Sequence, residues 1–278
     1  MPKISELTDI GTADALDIIV SVDVSASATR KMSLAQARAA MFPPSYVLTG
    51  ITASDYYDAT ANTLVGNAAG FTASVMFRMI RRPTDLEVAF GNFELFQPLG
   101  GWFIGCDTNR FKFGVGQQGT SGVDVNFGGG AFFDDGFDPL FFLIGSVHVL
   151  TIDYDGTDAN CYINGYQDVT ITPPSGYEVS DSSNQPMIGR NNNATQQRPS
   201  PSLQILGCGY VETSHATADV ADHSIACHEA GSFVDGGIGW SNMWSFKDEA
   251  TAPATLLDSV GSANFTRQGT PATVEIKV

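Results

Sequence analysis

The chain has 278 residues, 43% of them hydrophobic, and sets 30 carboxylates against 14 Lys and Arg for a formal charge of −16. That length and apolar content can bury a full core, while that charge repels phosphate backbones and anionic lipid, so neither nucleic acid nor a membrane is an expected partner. Residues 1–42 carry Lys3, Arg30, Lys31 and Arg38 against five carboxylates, so −15 of the charge falls on the remainder.

In chain order, Leu16, Ile18, Val20, Val22 and Val24 recur at period two and predict a strand over 16–24. Residues 25–29 are small and polar and predict a turn. Arg30-Lys31-Met32 then leads into Ser33-Leu34-Ala35-Gln36, where Ser33 and Gln36 can exchange the reciprocal bonds that open a helix, which Pro43-Pro44 stops. Before the strand stands Lys3-Ile4-Ser5-Glu6-Leu7. The order Lys-Ile-Ser-Glu-Leu, Asp-x-Ile-x-Val, Thr-Arg-Lys-Met-Ser-Leu-Ala-Gln over residues 1–40 resembles the N-terminal segment of tailed-bacteriophage virion appendages such as tail fibres and head fibres. The resemblance implies a small strand, turn and helix arm over residues 1–42 that docks to other virion proteins and often assembles as a homotrimer. Ile4, Leu7, Leu16, Ile18, Val20, Val22 and Leu34 would then bury against neighbouring chains or the particle. Glu6, Asp9, Asp14 and Asp17 interrupt any secretory signal, so the expectation is assembly in the host cytoplasm and residence on the virion.

Residues 43–67 read as a linker, or as an extra edge strand around Tyr46, Leu48 and Ile51. Over 68–278, β-branched and aromatic runs alternate with Gly, Asp, Asn and Pro clusters, the pattern of an antiparallel sandwich or jelly roll followed by a C-terminal extension. Strands are expected over 71–80, 86–96, 101–104, 110–115, 123–126, 147–154, 160–163, 167–171, 186–188, 203–211 and 237–246, and a helix over 222–230. The clearest hairpin runs from His148 to Gly165, with Asp155-Gly156 and Asn164-Gly165 supplying the positive-φ turns. That stretch, with its Tyr-x-Asn-Gly end, resembles the laminin-G and concanavalin-like jelly-roll superfamily, as do Met187-Ile188-Gly189 and Gly237-Ile238-Gly239-Trp240. The resemblance implies a mainly β, antiparallel sandwich of a kind often used to hold glycans. The longest apolar run, 139–150, is broken by Gly145 and His148 and is too short to span a bilayer. Cys106, Cys161, Cys208 and Cys227 show no repeated spacing and read as free thiols.

Glycan hydrolysis needs two carboxyl groups facing each other across the scissile bond. The Glu-x-Asp-x-Glu pattern of concanavalin-like hydrolases is absent, and Glu87 and Glu94 fall on opposite faces of a continuous strand, so no enzyme is expected; a polysaccharide depolymerase is the rival reading. Asp153, Asp155 and Asp158 gather oxygens that suit calcium, but Asp-Gly is required by the turn in any case, so no cofactor or metal is expected. His215, His223, Cys227 and His228 are soft ligands without the spacing of a zinc site. Among the aromatic candidates Trp102, Tyr166, Tyr177, Trp240 and Trp244, the last two share an apolar face and are expected in the core. Trp102 beside Gly100-Gly101 and Tyr177 in its loop are expected outside, where they could stack on sugar. Arg190, Asn191 and Asn192 follow the Ile-Gly strand end and offer donors and acceptors suited to hydroxyls. The sequence therefore points to a displayed phage appendage, tail fibre or head fibre, with a lectin-like domain for host-surface glycan or particle contact.

Overall fold

A computed structural model describes residues 19–23, 28–32, 45–59, 69–92, 101–108, 110–116, 126–129, 144–172, 186–191 and 197–276. The chain divides into two compact units, 1–44 and 45–276.

In the first unit, β1 (Ile19–Asp23) pairs antiparallel with β2 (Ala28–Met32), from Ile19 opposite Met32 to Asp23 opposite Ala28. Residues 29–32, expected to lie in a turn and the approach to a helix, thus form the return strand of a hairpin. The pairing satisfies backbone groups that β1 alone would leave open. Val20 and Val22 sit opposite Lys31 and Thr29. Ile4, Leu7, Leu16, Ile18, Leu34 and the helix over 33–41 lie outside the described residues.

The second unit is a sandwich of two antiparallel sheets. The first runs β12 (Tyr166–Ile171), β11 (Ala159–Ile163), β10 (Val147–Tyr154), β5 (Phe71–Met79), β14 (Leu203–Val211), β3 (Ser45–Thr49), β18 (Ala272–Ile276), with β15 (Asn242–Ser245) also pairing β14. The second runs β16 (Thr255–Leu256), β17 (Phe265–Gln268), β4 (Tyr56–Ala59), β13 (Met187–Ile188), β6 (Glu87–Gly91), β7 (Gly101–Asp107), β8 (Arg110–Gly116), β9 (Asn126–Gly129). Two expectations change here. The stretch read as linker or edge strand supplies β3 and β4, and β3 lies inside its sheet, between β14 and β18. The supposed C-terminal extension supplies β16 to β18, which complete both sheets.

Alternation decides what each strand buries. Phe71, Ala73, Val75, Phe77 and Met79 of β5 join Leu150, Ile152 and Tyr154 of β10 and Trp102, Ile104 and Cys106 of β7 in the core between the sheets. The opposite face of the first sheet is also covered. Met76, Val149 and Leu206 pack beneath Cys227, Phe233, Ile238 and Trp240, contributed by α1 (Thr217–Ala230) and the segment after it. Covered on both sides, β5 loses the polar half of its alternation, and even Thr72 and Ser74 are fully buried.

The helix begins at Thr217, five residues before the expected start, and ends at Gly231 in the left-handed conformation, whose N–H meets the carbonyls of Cys227 and His228. The expected strand over 237–246 shrinks to β15, because Asp235 Oδ1 accepts from the N–H groups of Gly239 and Trp240 and folds that stretch into turns. Among the described residues, no helix is long and apolar enough to cross a membrane.

Candidate functional site

Strand β4 turns Tyr57 and Ala59 into the core and leaves Tyr56 and Asp58 on the opposite, partly exposed face. β17 lies alongside, with Gln268 opposite Tyr56 and Thr266 opposite Asp58. From there Gln268 Nε2 donates to Asp58 Oδ1 at 2.9 Å. On the other flank, the chain leaves β13 through Gly189 at φ 94°, where a Cβ would stand 2.9 Å from Ile51 Cγ2. Only glycine fits, and the reversal it permits places the Arg190 guanidinium 4.0 Å from the centre of the Tyr56 ring. Arg190 Nε donates to the Asn191 carbonyl at 3.2 Å, and Nη1 donates to the Ala53 carbonyl.

Asn191 is fully buried. Its Oδ1 accepts from the Arg198 N–H at 2.6 Å, while its Nδ2 has no hydrogen-bond partner among the described residues. Burial raises the Asp58 carboxyl above its usual range, against the pull of Gln268 and the nearby Arg190 charge. Burial lowers Arg190, opposed by Tyr56 and Asp58. The result is an aromatic ring, a carboxylate, an amide and a guanidinium on one patch of one sheet. Arg190 and Asn191 are the sequence-derived residues it contains. Tyr56, Asp58 and Gln268 escaped the sequence reading because they sit in the supposed linker and extension, 210 positions apart along the chain.

The other candidates fall elsewhere. Trp102, expected outside as a sugar platform, is fully buried between the sheets. It lies opposite Val115 on the core face, stacked on Tyr210 at 5.7 Å and edge-on to Phe90 at 4.9 Å. Position 102 takes the inward phase of β7, which the neighbouring glycines concealed. Tyr177 and Asn192 lie outside the described residues. Trp240 and Trp244 are buried as expected but on opposite faces of the first sheet, one under the helix layer and one in the central core. Among the described residues, Tyr166 is the candidate aromatic that the fold leaves open, at 81% exposure.

Asp153, Asp155 and Asp158 form no cation cage. Asp153 faces inward, taking bonds from Thr72 Oγ1 at 2.7 Å, Ser214 Oγ at 2.8 Å and the His215 N–H at 2.8 Å. Asp155 Oδ1 spends itself on the N–H groups of Thr157 and Asp158, the turn role its Asp-Gly context demands. His223 and Cys227 are buried neighbours on α1, whereas His215 is turned to Thr72 and the Ile238 carbonyl. Among the described residues, no group of three His, Cys, Asp or Glu could hold a metal ion. Glu87 is also spoken for, with both carboxylate oxygens bonded to the N–H and Oγ of Ser202.

No protein-family model and no curated protein sequence matches the chain. Solved structures do. A putative carbohydrate binding protein from Bacteroides ovatus ATCC 8483 superposes with a TM-score of 0.57 at 10% identity, over 84% of this chain and 60% of that one. The chain thus spans about three fifths of that protein's length. Looser likenesses include the native heptameric SAP-like pentraxin from Limulus polyphemus, with a TM-score of 0.48 at 12% identity over 80% of this chain and 94% of that one. Mouse laminin alpha1 domains LG4-5 follow at 0.43 and 10%, over 64% of this chain and 44% of that one. At such identities the likeness is one of fold: a mainly β, antiparallel sandwich of the jelly-roll kind.

Proposed function

We propose that this chain is a displayed appendage of a bacteriophage virion, a tail fibre or head fibre, whose arm docks to other virion proteins and whose sandwich holds host-surface glycan without cleaving it. The observation that carries the glycan half is the patch of Tyr56, Asp58, Arg190 and Gln268, which sets an aromatic ring beside the carboxylate and amide that hydroxyl groups engage. A fold shared with a protein described as carbohydrate binding supports it. The absence of the Glu-x-Asp-x-Glu pattern from the sequence favours binding over hydrolysis.

The docking half rests on the order of motifs in residues 1–40. A homotrimer, or many copies on one particle, would turn weak single-site contacts into tight attachment by raising the effective concentration of each further site.

Two measurements test this. The full chain is expected to bind host cells and a subset of glycans on an array while releasing no reducing ends from host polysaccharide. A chain lacking residues 1–42 should fail to join particles that the full chain joins. Release of reducing ends would replace the binder with a depolymerase, and normal incorporation of the shortened chain would overturn the docking role.

A further inference from the structure

We infer that the glycan taken at the Tyr56 patch is an oligosaccharide bearing anionic groups, uronate, phosphate or sulfate, which extends from that patch onto a basic end of the second sheet; this deepens the glycan reading above and rests on it. Residues 45–276 hold nine Lys and Arg. Six of them, Arg78, Arg81, Arg82, Arg110, Lys112 and Arg198, gather where the loop after β5 meets the turn between β7 and β8. Arg82 Nε donates to the Thr108 carbonyl at 2.9 Å, Arg78 Nε to the Gly145 carbonyl at 3.0 Å and Arg81 Nε to Ser202 Oγ at 3.3 Å. These bonds fix the side chains in place, so less freedom is lost when a ligand arrives. Among the described residues of that loop and turn, three carboxylates oppose the six cations: Asp85 pairs with Arg198, Asp107 lies 3.4 Å from Lys112, and Glu87 is bonded to Ser202 with the Arg81 charge nearby. Cations are thus in excess here, and Arg81, Arg82 and Arg110 are exposed, in a chain whose formal charge is −16. An exposed arginine cluster favours a carboxylate, phosphate or sulfate, which its planar fork can grip with paired bonds.

The basic end and the Tyr56 patch share one surface. Phe111 and Phe113 point into the core, so alternation puts Arg110 and Lys112 on the outer face of the second sheet, the face that carries Tyr56 and Asp58. The register keeps them at the same end of that sheet, with Ile188 opposite both Tyr57 and Phe90, Glu87 opposite Cys106, and Asp107 opposite Arg110. Arg198 bridges the interval, its N–H on Asn191 Oδ1 and its carbonyl taking the Val88 N–H. From β4 to β8 there are four strand spacings, roughly 19 Å in all, which calls for a chain of sugars rather than one ring. A nucleic acid also carries the anions, but a long uniform polyanion would meet the carboxylate excess of the rest of the protein as well.

The test titrates the full chain with uronate-bearing, phosphate-bearing and sulfated oligosaccharides, with uncharged oligosaccharides of the same length, and with single-stranded DNA, at low and at high salt. The acidic oligosaccharides are expected to bind more tightly than the uncharged ones, and added salt should erase the difference. The double variant Arg82→Gln, Arg110→Gln should weaken acidic binding about tenfold and lose most of that preference, at a melting temperature within a few degrees of the parent. If the double variant fails to fold, Arg110→Gln alone, at an exposed strand start, supplies the comparison and should show a smaller loss in the same direction. Equal binding of acidic and uncharged oligosaccharides by the parent would overturn this inference and leave glycan binding standing. An acidic preference that the substitutions do not diminish would overturn the assignment to this end of the sheet. DNA binding tighter than that of every oligosaccharide would overturn the choice of a glycan as the anion carrier. Failure of every glycan to bind would overturn the glycan reading itself, and this inference with it.

Discussion

Lowering the pH should destabilise the layer that covers the first sheet, through His223. This side chain is fully buried on α1, edge-on to Phe233 at 5.2 Å and Trp240 at 5.1 Å. Its Nδ1 lies 3.1 Å from the Asp235 carbonyl, which only accepts, so the neutral ring carries its hydrogen there, and Nε2 lies 3.4 Å from Ser74 Oγ. Burial drives its pKa from 6.5 down to about 4, more than its bond to Asp235 restores. Between those values the unfolded chain binds a proton that the folded chain refuses. Stability is therefore full above pH 6.5 and falls as the pH drops toward 4. A gap of about 2.5 units at about 1.4 kcal/mol each amounts to roughly 3 kcal/mol, a large share of the ~5–15 kcal/mol that holds a typical domain together. Asp58, Glu87 and Asp153, whose carboxyls burial raises, act in the opposite sense, losing stability as the pH rises past the ordinary carboxylate range. Comparison with His223→Asn removes them, since they are common to both proteins and the amide keeps a donor near Asp235 without titrating. Denaturant unfolding at pH 7 and pH 4 should show the parent losing roughly 3 kcal/mol more than the variant, whatever the baseline cost of the substitution. Parallel pH profiles would refute a neutral, buried His223.

The four thiols should be silent in the native protein. Cys106, Cys161, Cys208 and Cys227 are free and fully buried, and burial raises every one of them, Cys227 to about 12, so little thiolate exists to react. A disulfide reagent at pH 8 is expected to label none before denaturation and all four after it; rapid labelling of the native chain would contradict the packing. Gly209→Ala should loosen the outer layer, because the added Cβ would stand 2.7 Å from Trp240 Cδ2 and 3.0 Å from Phe233 Cε1. A loss of about 1–3 kcal/mol and a changed near-ultraviolet dichroism of the tryptophans are expected, and an unchanged denaturation midpoint would refute the contact.

Local pattern by itself determined the regular parts of this protein. β10 and β14 occupy the residues that alternation and turn residues marked, 147–154 and 203–211, and Asn164 takes the positive φ, 52°, that its place before Gly165 required. Those features depend on neighbours a few positions away, which the sequence displays directly. Only the tertiary structure decided which faces are covered and which distant residues meet. Thr72 and Ser74 alternate along β5 with the residues of the central core, yet they too are buried, because the sheet is covered on its other face as well. Trp102 looked open beside its glycines, yet the phase of β7 turns it onto Tyr210. Tyr56 and Asp58 looked like linker until β17, arriving from the far end of the chain, laid Gln268 beside them. Strand pairing and layer covering are long-range contacts, chosen by the apolar area they remove from water once the whole chain is collapsed, and that choice is written in no single stretch of sequence.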